Sequence, residues 1–163
     1  MYSEKFRDVE QQKKLGELAK VRYEDFRTMK FESYMPKFAK QVIEKYFELG
    51  YEIGIISQGT PSLQRRKFDC LNIKDFVNSD LIFFNEKKTI DFYQMVKNTI
   101  VEKYGNLELI MIGDREDIDV LIPKSLGFTP IRILGESKYS VTKTLTDYKQ
   151  FNNFEELFNN LEN

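Results

Sequence analysis

Four short apolar runs, Tyr51–Ile56, Asp80–Phe84, Leu107–Ile112 and Thr129–Leu134, alternate with stretches of helical periodicity. This alternation constrains the fold more than any other feature of the chain. Strands separated by helices of about 10–15 residues argue an α/β protein whose parallel sheet is covered on both faces. The first helix reads from Pro36, with Phe38, Val42, Tyr46 and Leu49 on one face and Gly50 at its C-terminal end. Thr60-Pro61 reads as an N-cap and first helical residue, opening a helix to about Cys70. Ile90–Tyr104 is a further helix closed by Gly105, and a short helix runs to about Leu126. Residues 135–147 are polar and loop-like, and Asn153–Leu161 is an amphipathic terminal helix. Pro130 would remove a ladder hydrogen bond from a central strand, so the strand at Thr129–Leu134 is expected at a sheet edge.

Composition narrows the function. The chain has 163 residues, 41% of them hydrophobic, enough for the core of about one domain. Lys and Arg total 25 against 26 Asp and Glu, a net charge of −1, which excludes a strongly basic nucleic-acid footprint or polybasic membrane patch as the main theme. No run of about 18 apolar residues suggests a membrane span, and the start, MYSEKFR, lacks the apolar stretch of a secretory signal. One cysteine, Cys70, cannot form an internal disulfide, which points to a reducing, cytoplasmic compartment. There is no histidine. That removes Ser-His-Asp triads, Cys-His pairs and His-ligated zinc, and leaves carboxylates, Lys, Tyr and hydroxyls as the carriers of any chemistry.

In parallel sheets, ligands bind outside the carboxyl ends of the strands. The residues there are Ser57, Gln58 and Gly59, then Asn85 to Lys88, then Asp114 to Asp119. A hydroxyl and free N–H groups at a helix entrance favour an anion, and lysine adds charge to the same anion. Carboxylate oxygens suit magnesium. Each residue also has a plainer role open to it. Ser57 can serve an ordinary strand-to-helix turn, Asp119 can cap the next helix, and Lys87 and Lys88 can be an exposed loop pair. Glu116 and Asp117 read as solvated or as partners of a helix dipole. Arg65-Arg66-Lys67 reads as a solvated helix face and Cys70 as packing.

In order along the chain, these residues resemble the haloacid dehalogenase-like (HAD) hydrolase superfamily, mostly phosphatases. The stretch YMPKFAKQVIEKYFELGYEIGIISQG is similar to the family's helix and second motif, which implies Ser57 as the phosphate-binding hydroxyl. IMIGDREDID is similar to the fourth motif, hydrophobic strand and GDxxxxD, which implies Asp114 and Asp119 as metal-binding acids. The third-motif lysine falls in Lys87-Lys88-Thr89-Ile90-Asp91, without the usual prolines, and register favours Lys87 over Lys88. SLGF, the TPIRIL strand and the tail TDYKQFNNFEELFNNL follow the family's order of elements, the tail as a short last strand and closing helix.

The family's first motif, a hydrophobic strand ending in DxDx[TV] that carries the nucleophile, has no counterpart before residue 51. Asp8 and Asp25 are isolated in charged helical sequence. Residues 1–35 resemble the last helices of the family's cap, with Tyr23, Phe26, Phe31 and Tyr34 as a candidate docking patch. The resemblance therefore implies a Rossmann-like three-layer parallel sheet with helices on both faces, an N-terminal helical cap remnant at 1–35 and a core at 36–163 missing its first-motif strand. It further implies a magnesium-dependent hydrolase scaffold of the phosphatase class, lacking its attacking group, whose partner is phosphate or a small phosphorylated molecule. A non-catalytic binding or regulatory module with the same fold is the alternative. Without the missing strand, its neighbours close up or leave unpaired backbone groups along a slot, at about 1–3 kcal/mol for each buried one. Another chain, a swapped segment or a rearranged sheet is the expected filling, and the open slot makes self-association an expectation too.

Overall fold

Each of the four apolar runs becomes a parallel strand, and a fifth strand follows them. The computed structural model describes residues 35–135 and 147–162, together with Glu17. The chain divides into two units, Met1–Tyr34 and Met35–Asn163. The cap remnant and its aromatic patch, and nearly all of the polar stretch after residue 135, thus lie outside the described residues. The strands are β1 (Ile53–Gln58), β2 (Val77–Asn85), β3 (Ile110–Gly113), β4 (Thr129–Ile133) and β5 (Lys149–Phe151). The helices are α1 (Ala39–Glu48), α2 (Pro61–Asp69), α3 (Ile90–Tyr104), α4 (Ile122–Ser125) and α5 (Phe154–Glu162). A 3₁₀ turn at Lys74–Phe76 precedes β2, and a π-helical turn at Glu116–Leu121 runs into α4.

Local chemistry sets the helix limits. Thr89 Oγ1 accepts the Phe92 N–H at the start of α3, and Gly105 turns the chain out of its end at φ 79°. Pro61 occupies the first turn of α2, where its missing N–H costs nothing. The first helix begins later than its proline suggests. The Pro36 carbonyl accepts the Ala39 N–H in a preceding turn, and Phe38 sits at φ 65° as the residue before α1. Val42 and Tyr46 are buried as the spacing requires, but Leu49 is 54% exposed beyond the last helical turn.

The fold is α/β with small parallel sheets. Among the described residues β1 pairs with β2 alone, while β3, β4 and β5 form a separate three-stranded sheet in that order. The edge position expected for Pro130 is corrected: β4 is the middle strand of its sheet. The reason is which way the proline nitrogen faces. Thr129 N–H donates to Leu109 O at 2.7 Å, so by alternation Pro130 presents its nitrogen to the β5 side. Pairing with β5 begins only at Ile131, one residue later, so no ladder bond is lost.

Both sheets run the same way. Asn78 Nδ2 at the start of β2 donates to Glu52 Oε2 before β1 and to Tyr104 Oη at the end of α3, each at 2.8 Å. At the other end, Lys88 after β2 meets Asp119 after β3. Helices join the two halves on each face. Val42 and Tyr46 of α1 pack with Ile131, Ile133, Phe151 and Leu157, and Ile53, Ile110 and Ile112 lie against this cluster. On the opposite pleat, Ile56 and Leu109 lie against Tyr93 of α3, Met111 and Phe128. A third cluster, Phe68, Ile73 and Val77, fixes α2 and the 3₁₀ turn over β2. Among the described residues no helix is long and apolar enough to cross a membrane.

Candidate functional site

The loops after β1, β2 and β3 converge at one end of the strands. Gly59 N–H donates to Asn85 O at 2.8 Å, tying the exit of β1 to that of β2. Asn85 Nδ2 in turn donates to Lys87 O at 2.8 Å. Beyond it the Lys87 side chain is exposed, whereas that of Lys88 turns inward. Lys88 Nζ lies 2.6 Å from Asp119 Oδ1, with the two side chains 10% and 4% exposed. Of the two candidate lysines, Lys88 is the one held against the acidic loop.

Asp119 is the most constrained group of this end. Its Oδ1 also accepts from Tyr93 Oη at 3.3 Å, and its Oδ2 from the Arg115 backbone N–H at 3.3 Å. A β-carbon on Gly113 would sit 2.4 Å from Asp119 Cβ, so only glycine lets the turn fold Asp119 back over the end of β3. The glycine before Asp114 therefore serves the approach of Asp119. Burial first, and then the Asp119 charge beside it, push the Tyr93 phenol well above its ordinary value of 10.0. Tyr93 thus stays a neutral hydrogen-bond donor to the carboxylate.

The other expected site residues sit less centrally. Ser57 Oγ donates to Gln64 Oε1 of α2 at 3.0 Å, within the strand-to-helix turn. Gly59 stands at φ 135°, where a β-carbon would come 2.4 Å from Gln64 Nε2. Gln58 is exposed, opposite Asn85 at the end of the β1–β2 ladder. Asp114 is half-buried directly after β3, and its side chain meets no partner among the described residues. Asp117 is on the surface, where the Arg115 guanidinium beside it holds its carboxyl below the usual range.

One buried charge escaped the sequence reading. Arg132 is 1% exposed in the middle strand β4, opposite Gly113 of β3, and its Nη1 donates to Glu116 Oε2 at 2.9 Å. Tyr148 Oη donates to Glu116 Oε1 at 2.6 Å. Glu116, expected in solvent, is thus the hub of a second polar cluster. Its one sequence signal is a basic residue inside the apolar run TPIRIL.

These residues test the fit of a divalent cation. Among the described residues there is no group of three or more acidic or cysteine side chains that could hold a metal ion. Asp119 has both oxygens engaged, and the Lys88 ammonium against Oδ1 repels a second cation. Asp119 thus stands as the ion-pair partner of Lys88, and it makes no cap hydrogen bond to the helix that follows. Asp114 is the carboxylate of this end with free oxygens. One carboxylate with water and a phosphate is a minimal magnesium set.

A cavity of about 610 Å³ lies elsewhere, between β1 and β3. Its walls include Ile53 to Ile56 of β1 and Ile110 to Ile112 of β3, and none of the expected site residues lines it. Comparison of the chain with protein-family models and with curated proteins finds no match.

Proposed function

We propose that this chain is a HAD-like, phosphatase-class hydrolase scaffold, with a Rossmann-like three-layer arrangement of its strands, that binds phosphate without being catalytically competent alone. The observation that carries this reading is the buried Lys88–Asp119 pair. Residues 31 apart in sequence meet at the strand ends, which brings a lysine of the third-motif stretch to the acidic loop of the fourth. Ser57 at the mouth of α2, with the exposed Lys87 of the loop after β2, would hold the phosphate through a hydroxyl and a positive charge. Asp114 would hold magnesium, which would supply charge neutralisation at the phosphate oxygens. The 163 residues offer no DxDx[TV] strand to supply an attacking carboxylate.

The test is calorimetric binding of inorganic phosphate to the full chain, with and without magnesium, beside Ser57→Ala and Asp114→Asn. The expected result is binding that magnesium strengthens, that Ser57→Ala weakens, and whose magnesium dependence Asp114→Asn removes. Absence of phosphate binding by a folded sample overturns the reading. Magnesium-dependent hydrolysis of an aryl phosphate that disappears in Asp114→Asn overturns the statement that the chain is incompetent alone. The engagement of Asp119 favours a second reading, a non-catalytic anion-binding module. Binding indifferent both to magnesium and to Asp114→Asn would select it.

A further inference from the structure

We infer that Arg132 is a positioning residue: from the middle strand β4 it holds Glu116, and so fixes the course of the loop that presents Asp114 to a cation. This rests on the reading of Asp114 as the magnesium carboxylate. The first support is that stability does not account for the arginine. Arg132 is 1% exposed and stands between Ile131 and Ile133, both part of the core. An apolar residue in such a strand takes no charge out of water, and a buried ion pair is often no more stable than packed hydrocarbon. Nor is the guanidinium fully satisfied. Its Nε is buried and has no hydrogen-bond partner among the described residues. What the arginine gains is one directed contact, from Nη1 to Glu116 Oε2 at 2.9 Å.

The second support is where that contact falls. Arg132 stands opposite Gly113 in the β3–β4 ladder, and Asp114 lies in sequence between Gly113 and Glu116. Asp114 is therefore strung between a backbone fixed by the ladder and a side chain fixed by Arg132. The residue between Asp114 and Glu116 is held as well. Its backbone N–H, that of Arg115, donates to Asp119 Oδ2 at 3.3 Å, and the Arg115 carbonyl accepts the Asp119 N–H at 2.7 Å. Tyr148, immediately before β5, donates to the other Glu116 oxygen at 2.6 Å. Both oxygens of Glu116 are thus held by residues outside the loop. The Asp114 carboxylate has no partner among the described residues, so its placement comes from its backbone alone. A cation site with a single protein carboxylate depends on that placement, because ordering the loop at the moment of binding would subtract from affinity.

The test uses the full chain with both partners replaced, Arg132→Met together with Glu116→Gln. This double variant strands no buried charge and leaves no unpaired carboxylate to attract a cation, so its urea stability should stay close to that of the native chain. Calorimetry of inorganic phosphate across a series of magnesium concentrations is read beside amide hydrogen exchange of residues 113–119. Phosphate affinity without magnesium is expected to hold, because Ser57 and Lys87 lie on other loops. The magnesium concentration that strengthens binding should rise by about tenfold or more, and exchange in the loop should quicken. Tyr148→Phe, which removes one hold on Glu116, should move both readouts the same way by less, and it carries the test if the double variant does not fold. Unchanged magnesium dependence in the folded variant, or unchanged exchange in the loop, overturns the inference alone. Equal weakening with and without magnesium makes the pair merely structural and overturns it too. Phosphate binding by the native chain that is indifferent to magnesium overturns the reading of Asp114, and the positioning role falls with it.

Discussion

β4 and β1 are strands of similar length with opposite fates. Four of the five residues of β4, Pro130 to Ile133, are buried, and a strand pairs with it on each side. β1 carries four apolar residues or glycine in a row, yet every residue is half-buried or exposed, and among the described residues only one of its edges is paired. Intrinsic preference does not explain the contrast, since Ile-Gly-Ile-Ile is at least as strand-like as Thr-Pro-Ile-Arg. What separates them is the neighbour. β4 has one on each side, and its helices close over it. β1 has α1 and α3 above and below but faces a cavity on its open edge. The two halves are instead strapped together at their ends and across their faces, by Lys88 on Asp119, by Lys97 Nζ on Leu126 O at 2.7 Å, and by α1 on the β4–β5 side.

Breaking the strap is expected to have the largest effect. Lys88→Met leaves Asp119 buried and without its ammonium partner, and should cost about 3–5 kcal/mol in urea unfolding. A loss below about 1 kcal/mol would mean that the halves are held by their helices alone. The comparison itself is sharpened by paired truncations. Ile131→Ala in β4 removes a fully packed side chain and should cost about 3 kcal/mol. Ile55→Ala in β1 should cost about 1 kcal/mol, because its side chain is only partly removed from water. Equal losses would erase the distinction between a finished and an unfinished strand.

Tyr93 gives a smaller effect with a pH signature. Its Oη bonds Asp119, and Tyr93→Phe should cost about 1 kcal/mol at neutral pH. Burial raises its phenol above the ordinary value of 10.0, so the folded chain holds that proton where the unfolded chain releases it. The resulting stability is complete below pH 10 and is lost as the pH rises beyond it. Urea unfolding at a series of alkaline pH values should show that loss in the native chain and a shallower one in Tyr93→Phe. The smallest effect belongs to the neighbouring lysine. Lys87→Ala, exposed beyond the strap, should change stability by less than about 0.5 kcal/mol, and a larger change would move the strap to the wrong residue.

The legible parts of this molecule are those written in contiguous residues. Ile90–Tyr104 is a helix over the expected residues because Thr89 and Gly105 mark its ends locally. The strands appear where apolar runs lie between turn residues, shifted by a few positions, as with β1 ending at Gln58 instead of Ile56. Pro130 misled because the rule for proline in sheets depends on which side its nitrogen faces and where the neighbouring strand begins. Which lysine of the pair turns inward was not legible, because the acid that Lys88 meets, Asp119, lies 31 residues away. Arg132 and Glu116 were invisible as partners because 16 residues separate them and neither has a local reason to seek the other.

By itself, the sequence determined the parallel α/β order, the absence of any histidine chemistry and the set of polar residues at the strand ends. Each follows from residue type and short-range period, which need no knowledge of neighbours in space. Tertiary structure alone decided that Asp119 answers Lys88 and Tyr93 in place of solvent, that β4 is central, and that β1 and β3 stand apart with a cavity between them. Charge pairing, strand order and burial are properties of contacts between distant segments. The free energy that selects them is gained only when those segments meet and exclude water.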